Sequence, residues 1–138
     1  MADCPTLPTI SVCICTYRRS EQLDQLLRAL DQQVTKNRFN FGVVVVDNDA
    51  SESARNTVES CIAQLRVPIA YGVEPRQNIA LARNACIQMA TGDLVAFIDD
   101  DEEPANNWLL RLYETLIESG ADGVLGPVFP KFEDSAPN

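Results

Sequence analysis

The chain has 138 residues, with 11 Lys and Arg against 20 Asp and Glu, a net charge of −9, and no histidine. That length is one domain's worth, and its 46% apolar and 22% charged fractions are those of a folded chain rather than a disordered one. The acidic balance excludes a phosphate-binding surface for nucleic acid, and the missing imidazole excludes Ser-His-Asp and Cys-His catalysis and His-ligated zinc.

Residues 1–8 include Asp3 and lack a basic segment followed by an apolar one, so no secretory leader is expected. Residues 9–16 (TISVCICT) form a short β-branched run, a strand. From Ser20, Leu23, Leu26, Leu27, Leu30 and Val34 recur at helical spacing. Residues 41–47 (FGVVVVD) carry four consecutive valines, the mark of a strand buried on both faces of a parallel sheet. A helix is expected from about Ser51, with Ala54, Val58, Cys61, Ile62 and Leu65 along one side. A strand at 69–73, a helix at 78–90 closed by Gly92, and a strand at 94–99 (LVAFID) follow.

Pro104 stands at a helix-start position, and the apolar spacing from Trp108 to Ile117 continues that helix to Gly120. Residues 124–132, interrupted by Pro127 and Pro130, give a last extended segment, and the polar 133–138 tail suggests a fragment of a longer protein. Strands alternating with helices predict one α/β domain over 1–138, a three-layer α/β/α sandwich with helices on both faces of the sheet. No stretch approaches the roughly 18 apolar residues of a spanning helix. The five cysteines, an odd number without a CxxC pair, read as reduced thiols of a cytoplasmic protein.

Open α/β sheets bind ligands beyond the carboxyl ends of their strands. The first strand is followed there by Thr16, Tyr17 and Arg18, and neither glycine-rich phosphate loop is present anywhere. The second strand ends in Asp47-Asn48-Asp49, and the fourth runs into Asp99-Asp100-Asp101-Glu102-Glu103. Asp99 and Asp101, two residues apart, could offer oxygens to one hard cation such as Mg²⁺ or Mn²⁺, or the run could be a solvated acidic lead-in to a helix. Asp47 could equally be a turn or capping residue. Arg76 and Arg83 could be surface ion-pair residues or could offset diphosphate charge through forked hydrogen bonds, and Trp108 is better placed as core than as a sugar platform.

The segments ISVCICTYRR, VVVVDNDASESAR, NIALARNACIQMATGDLVAFIDDDEEP and NWLLRLYE, in this order, resemble the N-terminal half of family 2 glycosyltransferases with the Rossmann-like GT-A fold. Within that family they are most similar to bacterial exopolysaccharide glucosyltransferases of the succinoglycan type. The resemblance implies an inverting transfer of a sugar, glucose by proximity, from a UDP-sugar to a saccharide or lipid-linked glycan acceptor.

It implies Thr16, Tyr17 and Arg18 at the uracil and ribose, Asp47 as acceptor of the uracil ring N–H, and Arg76 and Arg83 closing over the nucleotide. Asp99 near the ribose and Asp101 on the metal would form the D-x-D pair, with Asp100 in its variable middle position. The general base would lie beyond residue 138, and the full-length protein would work at the inner face of the membrane. Two other readings use the same pattern: a nucleotide-binding module without turnover, and a receiver-type signalling domain. The second requires an acid pair after the first strand, where this chain has Thr16-Tyr17-Arg18.

Overall fold

The computed structural model describes residues 6–124. Four parallel strands, β1 (Thr9–Thr16), β2 (Asn40–Asp47), β3 (Ile69–Val73) and β4 (Leu94–Phe97), form one sheet in the order β3-β2-β1-β4. Four helices alternate with them: α1 (Ser20–Asp31), α2 (Arg55–Gln64), α3 (Ile79–Met89) and α4 (Trp108–Ser119).

Side chains alternate across a strand, so the valine run of β2 feeds two cores. Val43 and Val45 join Ile10, Val12 and Ile14 of β1 against α1, α2 and α4, while Val44 and Val46 join Cys13 against Ala82 and Cys86 of α3. The expected three layers are therefore present, with α3 alone on its face among the described residues. Leu23, Leu26, Leu27 and Leu30 of α1 are all fully buried, as their spacing requires. Burying each contributes about 1.5–3 kcal/mol, and this helix is the main lid of the larger core.

The elements depart from the sequence expectation where distant groups set their ends. The helix expected from Ser51 begins at Arg55, because the carboxylates of Asp49 and Asp47 take the N–H groups of Ser51 and Ala54 and hold the preceding residues in turns. The helix expected from Pro104 begins at Trp108. There Gln33, just past α1, donates from Nε2 to the carbonyl of Ala105 at 2.8 Å and accepts the N–H of Leu109 at 3.0 Å, so a side chain from another element caps α4.

Strand β4 stops at Phe97, the last residue paired with β1, rather than at Asp99. It is an edge strand among the described residues, and its Val95 and Phe97 remain exposed, as do Val34, Ile62 and Ile117. The turn after α3 presses against β1: a Cβ at Gly92 would lie 2.7 Å from the carbonyl oxygen of Thr9, and its N–H donates to the Ser11 hydroxyl. Of the extended segment expected at 124–132, Val124 is in no strand and 125–132 lie outside the described residues.

Candidate functional site

All four strands point the same way, so the loops after β1, β2 and β4 meet at one edge. A cleft of about 320 Å³ opens there. Its walls are Cys15, Thr16, Tyr17 and Arg19 from the end of β1, Asn48 after β2, Ile79 at the start of α3, and Asp99, Asp100 and Asp101 after β4. A second, broader groove between α1 and α2 is lined by Ser20, Glu21, Asp24, Gln25, Asn56, Thr57 and Ser60, without a cation.

The three aspartates do different things. Asp100 is buried, its Oδ2 accepting the Thr16 hydroxyl at 3.0 Å and its Oδ1 a hydrogen bond from Arg19 Nη1 at 3.4 Å. Burial pushes its carboxyl above the usual range, against the pull of those two donors. Asp100 therefore ties the β4 loop to the end of β1.

Asp101, 54% exposed at its side chain, shares the same guanidinium nitrogen at 3.2 Å. Asp99 is exposed, and its N–H donates to Glu102 Oε1 at 3.1 Å. Among the described residues no three acids or thiols form a closed metal cage. Mg²⁺ and Mn²⁺ sites that share substrate phosphates need only one or two carboxylates, and the outward Asp99 and Asp101 fit that open kind of site.

Of the residues expected at the site, Thr16, Tyr17, Asp99, Asp100 and Asp101 come together in the cleft. Arg83, exposed on α3, stands near enough that its charge lowers the pKa of the cleft thiol Cys15, behind the larger effect of the hydrogen bond with Cys86. Arg18 is not in the cleft wall: it takes a positive φ of 52°, donates to Asp49 at 3.2 Å and lies over the Tyr17 ring. Arg76 points back along its own loop to Glu74, with Nη2 to Oε1 at 2.8 Å.

Asp47 lies beneath the cleft. Fully buried, it accepts from the N–H of Asp49 at 3.2 Å, the N–H of Ala54 at 2.9 Å and the Tyr71 hydroxyl at 2.7 Å. Those donors hold the loop after β2, which is the turn role that the sequence also allowed.

Four cleft residues were not expected at the site from the sequence: Cys15, Arg19, Asn48 and Ile79. Asn48 donates from Nδ2 to the carbonyls of Glu74 and Arg76 and accepts the Asn78 N–H on Oδ1, stitching β2 to the start of α3. Only the backbone turn at Arg18 distinguishes it from Arg19, and no spacing rule reports that turn.

The loop beside the cleft offers a test by pH. Asp49 accepts from the N–H and hydroxyl of Ser51 at 3.0 and 2.8 Å and from Arg18, and the Ser51 N–H foremost holds its carboxyl well below the usual range. A lowered folded-state pKa gives stability that is present above the unfolded value and lost as pH falls through the folded one. Asp49→Ala is thus expected to melt below the parent at pH 7, with the gap narrowing only under about pH 4, as thermal melts across pH would show.

The sequence profile of Glycosyl transferase family 2 matches residues 11–138. The succinoglycan biosynthesis protein ExoM of Rhizobium meliloti is 44% identical over 128 residues, covering 93% of this chain and 41% of that protein. The chain thus spans about two fifths of the length of that relative. Among solved structures, S. aureus TarS 1–349 superposes with a TM-score of 0.69 at 25% identity, covering 89% of this chain and 38% of that one. The mannosyltransferase PcManGT of Pyrobaculum calidifontis, in complex with GDP-Man and Mn²⁺, superposes at 0.70 and 23% identity, over 80% of this chain and 32% of its own. Both superpositions carry the GT-A fold.

Proposed function

This chain belongs to glycosyl transferase family 2, and from that premise we propose that its cleft is the donor half of an inverting glycosyltransferase, holding a UDP-sugar for transfer to a saccharide acceptor. The observation that carries the reading is the meeting of the β4 aspartates with the end of β1 in one cleft at the carboxyl edge of the sheet. TarS 1–349 has been solved in complex with UDP-GlcNAc, and ExoM is a succinoglycan biosynthesis protein, which favours a UDP-sugar and an exopolysaccharide or lipid-linked glycan acceptor.

In this reading Asp101 and Asp99 would hold a Mg²⁺ or Mn²⁺ ion, which would offset the charge that develops on the departing diphosphate. The chain's own residues do the rest. Tyr17 and Thr16 form the wall offered to the nucleoside, and Asp100 fixes that wall to the aspartate loop. Arg83 supplies positive charge for the phosphates, as does Arg19 once it parts from Asp101. Asp47, Arg18 and Arg76, all occupied elsewhere, position the surrounding loops. The acceptor hydroxyl needs a general base, proposed to come from beyond residue 138. Among the described residues no helix is long and apolar enough to cross a membrane, so contact with a lipid-linked acceptor would be peripheral for this part of the protein.

A thermal-shift panel of nucleotide sugars, with and without Mn²⁺, tests the assignment. UDP-glucose at one hundred times its Kd should stabilise the chain by about 2.7 kcal/mol, and ADP-glucose at the same concentration should leave the melting temperature near that of the free protein. Equal shifts from every nucleotide, or none from UDP-sugars, would remove the donor-site reading.

A further inference from the structure

Three thiols gather under the cleft on the α3 face of the sheet. Cys13 and Cys15, two residues apart on β1, point the same way, and Cys86 of α3 sits against them. The Sγ atoms of Cys15 and Cys86 are 3.7 Å apart, the Cys86 thiol also faces the Ile14 carbonyl at 3.6 Å, and the Cys13 thiol faces the Cys86 carbonyl at 3.9 Å. Cys13 and Cys86 are fully buried, whereas Cys15 is half-buried and forms part of the cleft wall. Cys61 lies in the other core beside Asp24, its thiol pushed up to about 11 chiefly by burial, and takes no part.

We propose that Cys15 and Cys86 are a peroxide-sensitive dithiol, with Cys15 the thiol that meets the oxidant in the cleft and Cys86 the one that resolves it into a disulfide joining β1 to α3. Buried cysteines are ordinarily inert core residues, and what separates this pair is one open sulfur touching one buried sulfur. Among the described residues no three such side chains are placed to hold a metal ion.

In the first step the Cys15 sulfur attacks one oxygen of hydrogen peroxide. The S–O bond forms as the O–O bond breaks, and the leaving hydroxide takes up the thiol proton as water. In the second the Cys86 sulfur attacks the Cys15 sulfenic sulfur, the S–S bond forms, and the S–O oxygen leaves with the Cys86 proton as a second water. Two thiols lose two electrons and peroxide gains them. Closure needs the sulfurs to approach by roughly 1.7 Å to reach a disulfide bond length. This pairing rests on the thiol geometry alone and stands apart from the donor-site reading.

Non-reducing peptide mapping after peroxide treatment of the whole chain tests it. The parent should lose two alkylatable thiols and yield a Cys15–Cys86 cross-linked peptide that dithiothreitol reverses. Cys13→Ala should cross-link like the parent. Cys86→Ala, with no resolving thiol, should accumulate a dimedone adduct on Cys15. A parent map without that cross-link, or one showing Cys13 joined to Cys86 instead, overturns the proposal without recourse to any variant. So does oxidation of Cys15 straight to the sulfinic acid.

Discussion

Replacing Asp101 with alanine should erase the effect of divalent metal on UDP binding while leaving the fold intact. The side chain is half exposed and its described partner is the guanidinium of Arg19, so truncation opens no cavity and strands no buried donor. Asp100 offers no such clean experiment, because it is buried and holds Thr16 to the β4 loop. For the parent, calorimetry should show UDP binding at least ten-fold tighter in Mn²⁺ than in EDTA, the scale of one charge-assisted interaction of about 1.5–3 kcal/mol. In Asp101→Ala the two affinities should coincide, near the parent's value in EDTA. A parent that binds UDP equally well in EDTA and Mn²⁺ would sink the metal-bridged diphosphate.

The largest effect on stability should come from Asp47→Ala. One carboxylate receives three donors in a fully buried position at the junction of β2, the following loop and β3. Removing it leaves the N–H of Asp49, the N–H of Ala54 and the Tyr71 hydroxyl without partners. Each buried, unsatisfied donor costs about 1–3 kcal/mol, partly recovered where water enters the space left by the side chain. A loss of about 3–5 kcal/mol is expected, a large share of the roughly 5–15 kcal/mol that holds a domain folded.

Chemical denaturation should show this as a lower midpoint with an unchanged slope. Under folding conditions the ratio of UDP to ADP affinity should stay that of the parent, since the carboxylate does not line the cleft. A variant as stable as the parent whose preference for UDP collapses would return Asp47 to the nucleobase.

The α/β architecture was legible because it rests on local periodicity. Alternation through the β2 valines and the three- and four-residue spacing of the α1 leucines each report one element's buried side, and neither signal needs knowledge of a distant residue. The site's address was legible for a related reason. In a parallel sheet every strand's carboxyl end faces the same way, so acids written directly after β4 and polar residues directly after β1 had to meet. Helix starts were not legible where a side chain far along the chain supplies the cap: Gln33 at α4 is such a case, and a window around Pro104 holds no trace of it.

The roles of individual charged residues belong to the tertiary structure. Asp47 and Asp101 are both aspartates after apolar strands, yet one is sealed beneath the loop by two backbone amides and a tyrosine while the other faces the cleft. Arg18 and Arg19 are neighbours of identical chemistry, and a single positive φ sends the first to Asp49 and the second to Asp100 and Asp101. The amino-acid sequence by itself determined the layers, the order of strands and helices along the chain and the inventory of acids. Which carboxylate is buried and which guanidinium turns inward was decided only by packing, because hydrogen-bond partners are drawn from segments that the linear order keeps apart.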